Sequence, residues 1–151
     1  MHTQTTVRMR APILVLASLL ACSQPSDQGE PARIAWSQAV GFVDNGGTAL
    51  DALTVPDSIR AGVTFTATVS TFGSTGCIRP DRSQVLASGP QADITPYDSV
   101  WSGSPPCLPG WQGYSRSVEL TFAAPGSALV RLHGRGFGGD LTFERTVTVR
   151  P

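Results

Sequence analysis

From Val63 onward the chain alternates apolar and polar residues with a period of two. Val63, Phe65, Ala67 and Val69 interleave with Thr64, Thr66, Thr68 and Ser70. The pattern returns in Val118, Leu120 and Phe122, which interleave with Glu119 and Thr121. It returns again in Ala128, Val130 and Leu132, set between Leu129, Arg131 and His133. Last come Leu141, Phe143, Val147 and Val149, with Thr142, Glu144, Thr146 and Thr148 between them. This period with β-branched residues predicts strands that bury one face and show the other to water. Arg145 falls on the apolar face of the last strand. A bulge or an aliphatic stem with its charge at the rim would account for it.

Turn chemistry separates these stretches. Ala123-Ala124-Pro125-Gly126-Ser127 is one turn signal and the bend from Gly134 to Gly139 is another. Ahead of them, Ala49–Val55 reads as a first strand, ended by Pro56-Asp57-Ser58. Residues 71–113 are rich in Gly, Pro and Ser. Gln84–Ala87 and Ala92–Trp101 are the predicted strands there, with Pro96 and Pro105-Pro106 at edges or in loops. No stretch keeps a helical period. The prediction is all-β: a single sandwich of about seven antiparallel strands over residues 49–151, with a small barrel as the alternative. The domain resembles the immunoglobulin-like and fibronectin-type-III-like modules of bacterial surfaces. The resemblance rests on Val55-Pro56-Asp57-Ser58 with Ala61-Gly62 before one strand, and on Phe122-Ala123-Ala124-Pro125-Gly126 before another.

The first residues carry a different pattern. Arg8 and Arg10 precede an apolar run from Ala11 to Leu20, and Leu19-Leu20-Ala21-Cys22 closes it. A basic start, a short apolar stretch and a small residue before the cut describe an export signal. The run falls short of the roughly 20 apolar residues a membrane span needs. Leu19-Leu20-Ala21-Cys22 resembles the lipobox of bacterial lipoproteins. That resemblance implies cleavage of residues 1–21 and acylation of Cys22, palmitate included, with two or more chains giving stable anchoring. It places the protein in the cell envelope with the lipid bilayer as partner. Ser23 after the cysteine implies the outer membrane if the cell is Gram-negative. An ordinary secretory signal ahead of Cys22 is the competing reading. Residues 22–48 follow as a flexible, lipidated tether. Ile34-Ala35-Trp36 and Val40-Gly41-Phe42-Val43 interrupt it as a candidate short element packing on the domain. Asp44-Asn45-Gly46-Gly47 is a turn signal without the repeated oxygen ligands of a calcium loop.

Composition narrows the partners. The full chain has 11 basic and 11 acidic residues, every basic one an Arg. Losing Arg8 and Arg10 leaves nine against eleven, a side-chain sum of −2. Nucleic-acid binding prefers a basic patch, which this balance does not supply. Of three cysteines, Cys22 is set aside for lipid, and Cys77 and Cys107 remain for one disulfide in an oxidising compartment. A metal or redox pair is the rival reading, but no CxxC spacing exists.

Candidate chemistry is sparse. Asp81, Asp93, Asp98 and Asp140 show no paired spacing and read as solvated loop acids. His133 alternates with Leu132 and reads as a surface histidine, with no nucleophile elbow in the chain. No catalytic, cofactor or metal residues are assigned. The glycines between 134 and 139 lead into a strand, not a helix, so a phosphate cradle is excluded and a hairpin predicted. Gly136-Phe137-Gly138-Gly139 also resembles the G-x-G-G loop of chagasin-like protease inhibitors, whose two companion loops are absent. The remaining candidates are aromatic. Tyr97, Trp101, Trp111 and Tyr114 cluster around Cys107 and suggest one rigid surface for a glycan or an envelope protein, the competing reading being that they pack on the core and cover the disulfide. The function expected first is a non-catalytic interaction or structural module of the envelope, with glycan or small-ligand binding through these aromatics as the alternative.

Overall fold

The computed structural model describes residues 36–46, 51–103, 106–107 and 110–151. The expected signal (1–21), Cys22 and the first part of the tether lie outside the described residues, as do 47–50. Among the described residues the chain is all-β, with nine strands and not seven. They are β1 (Trp36–Val40), β2 (Leu53–Thr54), β3 (Ser58–Arg60), β4 (Phe65–Ser74), β5 (Ile78–Ser88), β6 (Gln91–Trp101), β7 (Trp111–Leu120), β8 (Gly126–Gly136) and β9 (Gly139–Arg150). One sheet has six strands in the order β1-β6-β8-β9-β3, with β5 also paired to β6; the other is β2-β4-β7. The expectation of purely antiparallel pairing fails twice: β6 and β8 run parallel, and so do β3 and β9. The second case follows from Val55-Pro56-Asp57. This segment takes the chain off the edge of β4 and sets it beside β9, where Asp57 O accepts from Thr148 N at 2.9 Å.

Several expected boundaries move for physical reasons. Val63 was expected to face inward, but it is exposed, ahead of β4. Gly62, at φ 73°, turns the chain there, and Val63 N donates back to Arg60 O. The Gly, Pro and Ser-rich middle is mostly strand. β5 is exposed over nearly its whole length, so it carries no alternation to read. Gly89 (φ 57°) and Pro90 form the two-residue turn into β6. Pro96 is not at an edge but buried inside β6. Its missing N–H costs nothing there. β8 pairs with β6 only through Ile94 and β1 only from Tyr97, so Pro96 faces the gap and its O accepts from Gly41 N. The β8/β9 register runs without a shift from Gly126↔Val149 to Gly136↔Gly139, so Arg145 is an exposed side chain opposite Val130 and not a bulge.

Both sheets contribute to one apolar core. Leu53, Val69 and Leu120 come from the smaller sheet, and Ile94, Leu132 and Val147 from the larger. Each such side chain stabilises the fold by about 1.5–3 kcal/mol relative to exposure. Val43 joins the core fully buried, so the folded unit takes in part of the stretch expected as tether.

Candidate functional site

The four candidate aromatics do not form one surface. Tyr97 and Trp101 sit at the positions of β6 that alternate with buried Ala92, Ile94, Pro96 and Asp98. They therefore lie on the outer face of the larger sheet. Trp101 is the register partner of Trp36, and the two rings are 5.5 Å apart. Arg79 lies 4.0 Å over the Trp36 ring and Arg82 5.0 Å over that of Tyr97. The Tyr97 hydroxyl donates to Gln84 Oε1 at 3.3 Å. Tyr114 is half-buried in β7 opposite Thr71.

Trp111 belongs to a different group. It meets Phe42 edge-on at 5.4 Å and stacks on Phe137 at 5.7 Å, while Phe42 and Phe137 are 4.8 Å apart. Phe137 is 72% exposed and Trp111 41% exposed. These rings rim a cavity of about 320 Å³, walled by Ile78, Val100, Asp98 and the Cys77–Cys107 disulfide.

Local sequence explains how this end is assembled. Residues 41–43 are stitched between the sheets: Phe42 O accepts from Phe72 N at 2.7 Å, and Val43 N donates to Arg135 O at 2.8 Å. Gly134 is required opposite them, because a Cβ there would run into the Val43 side chain. Gly136 pairs with Gly139 to close the β8–β9 hairpin, which leaves Phe137 and Gly138 at the tip. The expected disulfide is present, joining cysteines 30 positions apart with Cα atoms at 5.6 Å. It ties the β6–β7 connection to the tight turn after β4, beside Trp111.

Asp98 is the fully buried polar residue of the cavity wall. It was expected as a solvated acid, but alternation along β6 turns it inward, and it is 1% exposed. Arg116 Nη2 makes a short ion pair with Asp98 Oδ1, and the Thr71 hydroxyl donates to the same oxygen at 3.2 Å. Arg116 also donates from Nη1 to Tyr97 O at 2.7 Å. Asp98 Oδ2 and Arg116 Nε are buried without a hydrogen-bond partner.

A second polar group lies on the outer face. Adjacent strands β6, β8 and β9 bring together Asp93, His133 and Thr142. His133 Nε2 is 2.8 Å from Asp93 Oδ1, and Nδ1 is 3.1 Å from Thr142 Oγ1. The hydrogen bond from His133, then that from Gln91, holds the Asp93 carboxyl below the usual carboxylate range. So His133 faces outward as expected but is engaged, and Asp93 is not simply solvated. The row has the order of a nucleophile, a base and an orienting acid. The register of β8 and β9 runs unbroken there, and the three side chains form a cross-strand polar row.

Sequence reasoning missed Phe42, Phe137 and Asp98. Phe137 had a usable signal, an aromatic flanked by glycines at a hairpin tip where no core position exists. Asp98 had one too, sharing parity with Ala92 and Ile94. Phe42 had none beyond its apolar neighbours. No protein-family model, curated protein or solved structure matches the chain.

Proposed function

We propose that this protein is a cell-envelope lipoprotein, anchored in the bilayer through acylated Cys22, that acts by binding and not by turnover. Its domain is an immunoglobulin-like sandwich in this reading. The early chain supports that reading by splitting between the sheets, β2 against β4 and β3 beside β9. The parallel β6–β8 pair departs from the all-antiparallel pattern of that fold. The binding site is the cavity at the end of the two sheets, and its ligand is a small apolar molecule. One observation carries this: Phe42, Trp111 and Phe137 rim an apolar opening while two of them remain solvent-exposed. Ligand sites are concave and mostly apolar with few placed polar groups, and about 300 Å³ is the small end of their range. The sparse titrating groups favour binding over catalysis, since Asp98 is tied to Arg116 and His133 to Asp93.

Two measurements test the two halves. Intact mass spectrometry of the membrane-extracted protein should give a chain starting at Cys22 with added acyl mass, and Cys22→Ser should abolish palmitate incorporation. A full-length unacylated product would remove the anchor. Titration with 4-propylphenol should shift the Trp111 indole resonance, and an unmoved resonance at saturating probe would remove the site.

A glycan reading is favoured by the outer face, where Trp36, Trp101 and Tyr97 stand among Gln38, Gln84 and Asp81. The guanidinium groups of Arg79 and Arg82 already cover two of these rings. A glycan array probed with the protein decides it: binding lost in Trp101→Ala supports the outer face, and no binding removes it.

A further inference from the structure

We propose that the end of the domain bearing Phe137 and Trp111 docks on the bilayer interface beside the Cys22 anchor, with Phe137 leading. The inference rests on the anchored reading above and adds an orientation to it. β6 and β8 run parallel, so the Trp101 end of β6 and the hairpin tip after Gly136 point the same way. Trp111 starts β7 at that end, opposite Ser74, the last residue of β4. Trp36 starts β1 there too, opposite Trp101. All three tryptophans of the chain therefore share one pole with Phe137. Tryptophan is enriched at membrane interfaces, because its body is apolar while its N–H keeps a polar partner. Phe137 has glycines on both sides and projects from the tip with most of its ring uncovered. A single exposed apolar residue is ordinary, but a patch of exposed rings marks an interaction site.

The partner follows from where the chain enters this pole. Fourteen positions separate Cys22 from Trp36, and a chain of that length reaches at most about 50 Å. Val63 is exposed at the opposite pole, ahead of β4. That pole is farther away by the length of a ten-residue strand, about 30 Å. Turning Val63 to the lipid would use most of the reach, whereas the tryptophan pole needs little of it. A short link also gives a high effective concentration, which populates contacts too weak to hold alone. Charge sets the lipid class. Arg79 and Arg135 at this pole are matched by Asp44 and Asp140. Docking is therefore carried by the rings and does not require anionic lipid. Docked so, the cavity opens toward the acyl chains, the phase in which small apolar molecules concentrate.

The test places the processed, acylated protein in phosphatidylcholine nanodiscs doped with a lipid that carries a nitroxide near the top of its acyl chain. Paramagnetic broadening is read at the Trp111 indole and at the Val63 methyls, assigned with Trp111→Phe and Val63→Ala. The Trp111 signal should lose most of its intensity and the Val63 methyls should keep theirs. Phe137→Ser should restore most of the Trp111 intensity while the protein stays with the lipid through its acyl chains. Equal broadening at both poles, broadening at neither, or unchanged Trp111 broadening in Phe137→Ser would overturn the docking and leave the anchor and the cavity standing. A chain without acyl mass that stays off the lipid would overturn docking and anchor together. Should Phe137→Ser not fold, the contrast between Trp111 and Val63 in the wild-type chain decides.

Discussion

On the outer face of the larger sheet, Trp36 lies against Trp101 and beneath Arg79, and Tyr97 lies beneath Arg82 and hydrogen-bonds Gln84. At the end of the two sheets, Phe42, Trp111 and Phe137 pack on one another and enclose space. Both regions hold three aromatic rings, so composition does not separate them. What separates them is whether the rings leave space between them. The first set is engaged within its own sheet, through cross-strand register and flanking guanidinium groups. The second is held by three elements distant in the chain and leaves an opening between them. Rings packed within one sheet stabilise the sheet; rings packed around an opening can also hold a ligand.

Removing the acid beneath the cavity should produce the largest effect. Asp98→Ala would leave Arg116 buried without its counter-charge and should cost about 3–5 kcal/mol in a urea titration. Replacing both partners, Asp98→Leu with Arg116→Met, should recover much of that loss. The disulfide comes next. Cys77→Ser with Cys107→Ser should cost about 3–4 kcal/mol on the chain-entropy model for a loop of this length. It should also broaden the Trp111 resonance, because the connection beside it is released.

Smaller changes separate the two aromatic regions. Trp101→Ala should cost at least about 0.5–1.5 kcal/mol, the worth of an aromatic pair beyond area burial. Phe137→Ala should cost a similar amount, since its exposed ring still pairs with Phe42 and Trp111, but it alone should also weaken ligand binding. Loss of 4-propylphenol binding in Trp101→Ala instead would reverse the distinction between the two regions. The smallest effect concerns acid stability on the outer face. Asp93 titrates below its ordinary value in the folded chain. Its contribution is therefore fully present above the unfolded carboxylate range near pH 4 and is lost as pH falls through the lower folded value. Asp93→Asn should flatten the acid limb of a stability–pH curve below about pH 4.

Much of this was legible in the chain. Alternation located the buried faces of β4, β7, β8 and β9, and the parity of Cys77 and Cys107 anticipated their bond. What escaped shares a physical cause. β5 has almost no buried face, so no period marks it, and only its Gln84–Ala87 portion reads as strand from the sequence. β6 and β8 pair in parallel between residues 38 positions apart, and nothing local to either strand encodes that neighbour. The four aromatics around Cys107 were close in sequence, yet Tyr97 and Trp101 lie on β6 and Trp111 and Tyr114 on β7, which belong to different sheets. Trp111 found its partners at Phe42 and Phe137, from opposite ends of the folded unit. Sequence proximity therefore suggested one surface where the fold built two.

The most direct measurement is the affinity of 4-propylphenol for Trp111→Ala and Phe137→Ala beside Trp36→Ala and Trp101→Ala, followed by a probe other than tryptophan emission, such as ligand NMR. The two variants at the cavity rim should weaken binding about tenfold, as loss of an aromatic anchor does, and the two outer-face variants should leave it within about twofold. The reverse pattern, or equal binding by all four, would contradict the cavity as the binding site.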